Sequence, residues 1–276
     1  MLDTRQNFAQ GRFYSNDEDE LKSLFAEAVK NENINTDLSK VTIIGGVVPH
    51  AGHVYCAREA VHFFEIVKQS KQVFDTVILV NPNHTEMGLP VSIDDHQYWQ
   101  TPFGRIEIDK DLGEATDLPF DTESQRQEHS GEVIVPYIQY FMENDIKLLP
   151  ISFGAQNNEN AKVVARRLYD ASLSLHRKPL FIASSDFNHF ADAQTGEDLD
   201  SYALEALLRK DTTDFEARIK EKQISICGYG TILCLLHYAH LIDPAYKIAI
   251  LRRGHSGEVH PASQVVDYVS ILVYSI

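Results

Sequence analysis

Val41-Thr42-Ile43-Ile44-Gly45-Gly46-Val47-Val48-Pro49-His50-Ala51-Gly52 decides the fold of this 276-residue chain. Its apolar, β-branched half has the length and composition of a strand, and it stops at a proline followed at once by a histidine. Tyr55 to Gln69 then carries Ala57, Ala60, Val61, Phe64 and Val67 at helical spacing. Thr76-Val77-Ile78-Leu79-Val80 repeats the first run and ends in Asn81-Pro82-Asn83-His84. Strand, polar loop, helix and strand form a βαβ unit, which predicts two parallel strands joined by a crossover.

Two later segments have the same layout. Leu180-Phe181-Ile182-Ala183 runs into Ser184-Ser185-Asp186-Phe187-Asn188-His189, and Gln223-Ile224-Ser225-Ile226 runs into Cys227-Gly228. In open α/β sheets ligands bind outside the carboxyl ends of the strands. The four run ends are therefore expected to meet at one site, although they lie far apart in the chain.

The remaining segments complete an α/β chain expected to form a single domain over residues 1–276. The first forty residues are polar apart from Asp17 to Lys30, where Asn16 or Asp17 caps a helix whose Leu21, Leu24, Phe25 and Ala28 share a face that packs on the sheet. Leu89 to Ile108, with Pro90, Pro102 and the alternating Arg105-Ile106-Glu107-Ile108, reads as an antiparallel excursion. Gly131 to Phe141 is helical, with Pro136 demanding a kink or a late start. Lys147 to Ile151 is a strand, Ala161 to Leu175 and Leu199 to Lys210 are amphipathic helices, and Gly228 to Leu241 is a buried one. Ile248 to Arg253 and Val265 to Tyr274 close the chain as strands.

Composition narrows the function. Lys and Arg total 25 against 40 Asp and Glu, a formal charge of −15, which argues against a nucleic acid or an anionic membrane surface as the main partner. Three cysteines and no basic-then-apolar leader point to a cytoplasmic chain with reduced thiols. There is no Gly-x-Ser-x-Gly elbow around Ser184 or Ser185, and Gly45-Gly46 falls inside a strand rather than before a helix, so neither a serine hydrolase nor a phosphate loop is supported.

A divalent transition metal requires neutral imidazoles and anionic ligands held on stiff backbone. His50 and His84 meet that requirement, since each follows a strand beside a proline; a turn or cap role is the alternative for either alone. Cys227 stands just before the last long helix, where the helix dipole favours a thiolate; the competing reading is a buried apolar cysteine, the one adopted for Cys234. Asp186 and His189 form an Asp-x-x-His pair suited to a carboxylate that orients an acid-base imidazole, although Ser184, Ser185 and Asp186 also fit a helix cap. His129 opens a helix and is a further candidate for the same cleft.

Pro49-His50-Ala51-Gly52, Asn81-Pro82-Asn83-His84, Glu128-His129-Ser130, Ser184 to His189 and Ile226-Cys227-Gly228 occur in the order and at about the spacing of the Memo family. Microbial members of that family are labelled AmmeMemoRadiSam system protein B. The chain resembles the family from Gly11-Arg12-Phe13-Tyr14 to Val265-Val266-Asp267-Tyr268. The resemblance implies an α/β/α sandwich around a mostly parallel sheet, similar to the class III extradiol ring-cleavage dioxygenases. It places metal ligands at His50, His84 and Cys227, with Asp186 and His189 lining the pocket. It departs from the usual pattern at His53, at Ile134 and at Tyr229-Gly230. A thiolate in place of the dioxygenase carboxylate admits Fe(II) or copper, and zinc as well.

Three functions follow as expectations. The first is a metal-dependent redox enzyme, dioxygenase-like, with His189 oriented by Asp186 as acid or base and His129 polarising an oxygen of the ligand. The second is a non-catalytic binding or adaptor protein that takes a small molecule or peptide in the same pocket. The third is a zinc-dependent hydrolase. The microbial family label further implies a pathway association with an Ammecr-type protein and a radical SAM enzyme.

Overall fold

The computed structural model describes residues 3–142 and 145–276 and has the expected α/β layering. A two-residue strand, β1 (Thr4–Arg5), precedes helix α1 (Glu18–Asn31), whose first turn is capped by the Asp17 carboxylate accepting from the amides of Asp19 and Glu20. Leu21, Phe25 and Ala28 are its buried stripe. The βαβ unit follows as β2 (Thr42–Val48), α2 (His53–Ser70) and β3 (Thr76–Pro82). The proline-containing excursion supplies β4 (Val91–Ile93), β5 (Tyr98–Thr101) and β6 (Gly104–Glu107). After the short helices α3 (Lys110–Ala115) and α4 (Glu123–Arg126) comes α5 (Val135–Phe141), with Pro136 in its first turn. The helix starts late instead of kinking, because an amide in the first turn has no intrahelical acceptor to lose.

The second half contributes β7 (Lys147–Phe153), α6 (Asn158–Ser174), β8 (Pro179–Ser184) and a short β9 (His189–Ala191). Helices α7 (Ala193–Leu208), α8 (Thr212–Lys222) and α9 (Tyr229–Ile242) then lead to β10 (Lys247–His255) and β11 (Val265–Ser275). The segment Gln223 to Ile226 is not a strand, contrary to its pattern. Gln223 ends α8 in a left-handed conformation, and the next residues cross to α9 with Ile224 and Ile226 buried. Alternating apolar residues report burial here, without a strand neighbour to pair with.

The main sheet runs β10-β11-β2-β8-β3-β7-β4, with β9 attached to β11. Its four middle strands, β2, β8, β3 and β7, are parallel, and antiparallel pairs complete both flanks. Alternate side chains point to opposite faces. Ile78, Val80, Phe181 and Ala183 enter the core under α6, α7 and α9, whereas Val77, Leu79, Leu180 and Ile182 enter the one under α1, α2 and α5. Gly45 and Gly46 lie where a side chain has no room: a Cβ would fall 2.1 Å from the Phe181 carbonyl oxygen at the first and 2.3 Å from that of Ile271 at the second. Because β2, β8 and β3 are neighbours running the same way, their carboxyl ends lie side by side. Among the described residues no helix is long and apolar enough to cross a membrane.

Candidate metal and acid-base site

His50 emerges from β2 with its backbone amide donating to Asp186 Oδ1 at 2.7 Å. Its Nδ1 lies 2.7 Å from Ser184 Oγ. The single hydroxyl hydrogen of Ser184 goes to the carbonyl oxygen of Ser130 at 2.7 Å, so the Ser184 oxygen accepts from the His50 Nδ1–H. That fixes the tautomer: Nε2 carries the lone pair, and it faces Cys227 Sγ at 3.2 Å. Complete burial, reinforced by the neighbouring His84, His129 and His189, holds the His50 pKa far below its ordinary value, so the ring is neutral.

His84, beyond β3, is held by one carboxylate. Its amide donates to Glu128 Oε2 at 2.5 Å and its Nδ1 to Glu128 Oε1 at 2.9 Å. Burial would raise the Glu128 pKa, but hydrogen bonds from His84 and from the Ser130 amide outweigh it and bring it to about 2. Burial likewise opposes charge on His84, and the Glu128 hydrogen bond overcomes it, raising the imidazole pKa. Nδ1 is thus committed to Glu128 as a donor, and Nε2 remains for a ligand that can displace its proton.

The ring centroids of His50 and His84 are 5.3 Å apart and nearly perpendicular, and ligand atoms of His50, His84 and Cys227 all lie within 4.8 Å of one another. An ion holding imidazole at ~2.0–2.1 Å and thiolate at ~2.3 Å at tetrahedral angles needs the two ~3.5 Å apart. The donor set therefore fits one soft or borderline cation.

Cys227 reaches this point from the loop before α9. The expectation that the helix terminus makes it a thiolate is not met: burial, and after it the negative charge of Asp186, push the thiol well above its ordinary pKa. No side chain caps the α9 terminus, and one helix end is a weaker influence than the loss of hydration around the sulfur. The thiol proton has His50 Nε2 as its acceptor, so ionisation of this sulfur requires a cation in its place. The adjoining backbone is pressed against β8, and a Cβ on Gly228 would stand 2.3 Å from the Ser184 carbonyl oxygen.

His129 lies against the same point, its ring 4.9 Å from His84 and 5.6 Å from His50. It precedes the helical turn rather than opening it, accepting the Val133 amide on its carbonyl. Burial, with the His84 charge adding to it against Glu128, lowers its pKa to about 4. His84, Glu128 and His129 form a second group of ligand atoms within 4.8 Å of one another. Phe13 stacks on the outer face of His129 at 4.4 Å. The N-terminal strap that carries Phe13 is anchored by fully buried Glu132, which accepts from Arg5 Nη1 at 2.7 Å, from Tyr14 Oη at 2.7 Å and from the amides of Phe8 and Ala9.

Asp186 and His189 sit by the pocket but do not form the expected pair. The His189 Nδ1–H donates to the Ser225 carbonyl oxygen at 2.7 Å, which leaves Nε2 as the basic nitrogen. Ser225, not Asp186, orients this ring. The Asp186 carboxylate instead accepts from the amide of His50, fixing the β2 loop, and burial raises its pKa to about 6. His53 and Ile134 are fully buried packing residues, and Tyr229 donates its hydroxyl to the Gln156 carbonyl oxygen at 2.6 Å.

Fold and site together define a class: an α/β sandwich that gathers two oriented imidazoles and one thiol at the ends of neighbouring parallel strands. The family profile described as Memo-like protein matches residues 5–272. A MEMO1 family protein of Methanococcoides burtonii is 36% identical, covering 98% of this chain and 99% of its own length. A second from Methanosarcina barkeri is 34% identical over 98% of this chain and 99% of its own, and a third from Pyrobaculum aerophilum 32% over 98% and 99%. The chain belongs to the Memo family.

Proposed function

We propose that this protein holds one transition-metal ion on His50 Nε2, His84 Nε2 and Cys227 Sγ and acts on a small molecule as a metal-dependent redox enzyme. The observation that carries the reading is the fixed direction of the donors: Ser184 and Glu128 commit each Nδ1, so both free nitrogens and the sulfur face one point. Two imidazoles with a thiolate favour Fe(II) or copper over harder cations, and zinc also matches the donors. When bound, such an ion supplies one-electron chemistry and Lewis acidity at positions the protein leaves open.

The chain's own residues supply the rest. His189, with its proton on Nδ1 and a free Nε2, takes a proton from a bound hydroxyl or thiol. His129, kept neutral and stacked between Phe13 and His84, hydrogen-bonds an oxygen of the ligand. Phe13 closes one side of the pocket against water. The side chains of His84 and His129 are partly exposed, which gives a ligand its way in.

Anaerobic loading with Fe(II), Cu(I) or Zn(II), followed by metal analysis and oxygen uptake with a panel of phenols and small thiols, tests the reading. Stoichiometric iron or copper with uptake dependent on Cys227 is expected. Stoichiometric binding with silence across the panel would defeat the redox activity, and zinc without redox response would turn the site toward hydrolysis.

A further inference from the structure

At the far end of α9 from Cys227 lies an open cavity of about 860 Å³, set between α6 and α9 and closed at one end by the segments around Lys210 and Tyr246. Its floor is apolar, formed by Leu236, Leu241, Pro244 and the ring of Tyr246. Val163 on its wall is 51% exposed. Its rim is cationic: Lys162, Arg166 and Arg167 stand on α6, with Lys210 across from them and His240 beyond. No carboxylate lines it among the described residues, in a chain of net charge −15. Acids stand only at its edge: Asp170 at 3.5 Å from Arg166 and Asp117 at 3.5 Å from Arg167, both in exposed pairs that water screens, and Asp243, whose carboxyl feels the charge of Lys210.

We propose that this cavity binds an anionic amphiphile, a carboxylate or phosphate head group carried on a single acyl-type chain. The head group is held by Lys162 and Arg166, and the chain lies along Val163, Leu241 and Pro244, the apolar lining residues with surface to offer. Charge complementarity selects the head, because Lys162, Arg166, Arg167 and Lys210 line the cavity and no carboxylate does. Size and lining select the body: cavities of roughly 300–1,000 Å³ with apolar floors and a few polar anchors are the usual form of small-ligand sites. Lys210 is pre-positioned, its ammonium donating to the Tyr246 carbonyl oxygen at 2.9 Å and lying 4.8 Å from that ring's centre. His237 is turned away from the anion, its Nε2–H donating to Asn158 Oδ1 at 2.7 Å.

The test uses the full chain with dodecanoate and dodecyl phosphate as probes below their micellar concentrations, read by calorimetry and by displacement of anilinonaphthalene sulfonate. Saturable one-to-one binding is expected, at least tenfold weaker for neutral dodecanol and for short acetate or inorganic phosphate. The exposed-site double variant Lys162→Glu/Arg166→Glu should weaken binding at least tenfold with unchanged circular dichroism, while His50→Ala leaves it intact. Absence of saturable binding, equal binding of dodecanol, or indifference to the charge reversal overturns the proposal. Loss of binding on His50→Ala overturns it too, since the probe would then occupy the strand-end site.

Discussion

The sulfur of Cys227 lies 3.2 Å from Nε2 of His50, although 177 residues separate the two in the chain. Neither residue makes the contact alone. His50 is aimed by Ser184 from the next strand, and Cys227 is held by a glycine that packs on that same strand.

Cys227→Ser keeps the shape and removes the soft donor. Metal content after loading with Fe(II) or Cu(I) and gel filtration should fall, with affinity reduced by at least ~100-fold. Thermal stability of the metal-free chain should barely change. A variant that retains full metal would remove the thiol from the ligand set.

Ser184→Ala frees the His50 Nδ1 and leaves the Ser130 carbonyl without its donor. Metal affinity should drop by ~10–100-fold, the usual cost of losing a partner that orients a ligand. Glu128→Gln should do the same at His84, since the amide cannot accept from both the ring and the backbone as the carboxylate does. Competition with a chromophoric chelator measures both.

Glu132→Ala strands the Arg5 guanidinium in the interior, where the pair is 2% and 1% exposed. Breaking a buried ion pair on one side costs ~3–5 kcal/mol, and chemical denaturation should show a loss of that order. Tyr14 and two strap amides lose their acceptor as well, so Phe13 should loosen from His129. Faster backbone exchange in residues 6–16 would report it.

Asp200 and Asp267 share a buried corner under β11. Burial, and after it the charge of Asp267, raise Asp200 to about 8, and burial raises Asp267 to about 6. Both folded values exceed those of the unfolded chain, so the folded state binds more protons between about pH 4 and 8. The pair therefore costs little stability at pH 4 and progressively more as the pH rises to 8. Asp200→Asn, whose amide replaces the shared proton, should unfold at higher denaturant than the parent at pH 8, by an increment that shrinks steadily toward pH 5. An increment independent of pH would contradict the assignment.

Most of the framework was legible because burial leaves a simple trace. The runs ending at Val48 and Val80 are apolar on both faces, as strands covered on two sides must be, and each leads through a proline to a histidine. Residues 223–226 misled for the same reason: Ile224 and Ile226 are buried like strand residues but cross between two helices. α8 carries only Phe215 and Ile219 as buried residues, too sparse a stripe to stand out. Within the site, Glu128 and Ser130 were visible as a motif beside His129, yet their work on His84 depends on a contact 44 residues away that no local pattern encodes. The partner of His189 was misassigned to Asp186, three residues before it, whereas the fold supplies Ser225.

Anomalous scattering from a metal-soaked crystal, collected at the iron, copper and zinc edges, would show whether His50, His84 and Cys227 share one ion. One peak is expected, ~2.0–2.3 Å from His50 Nε2, His84 Nε2 and Cys227 Sγ. A peak bridging His84, Glu128 and His129 without the sulfur, or no peak under conditions that load other thiolate-imidazole sites, would contradict it.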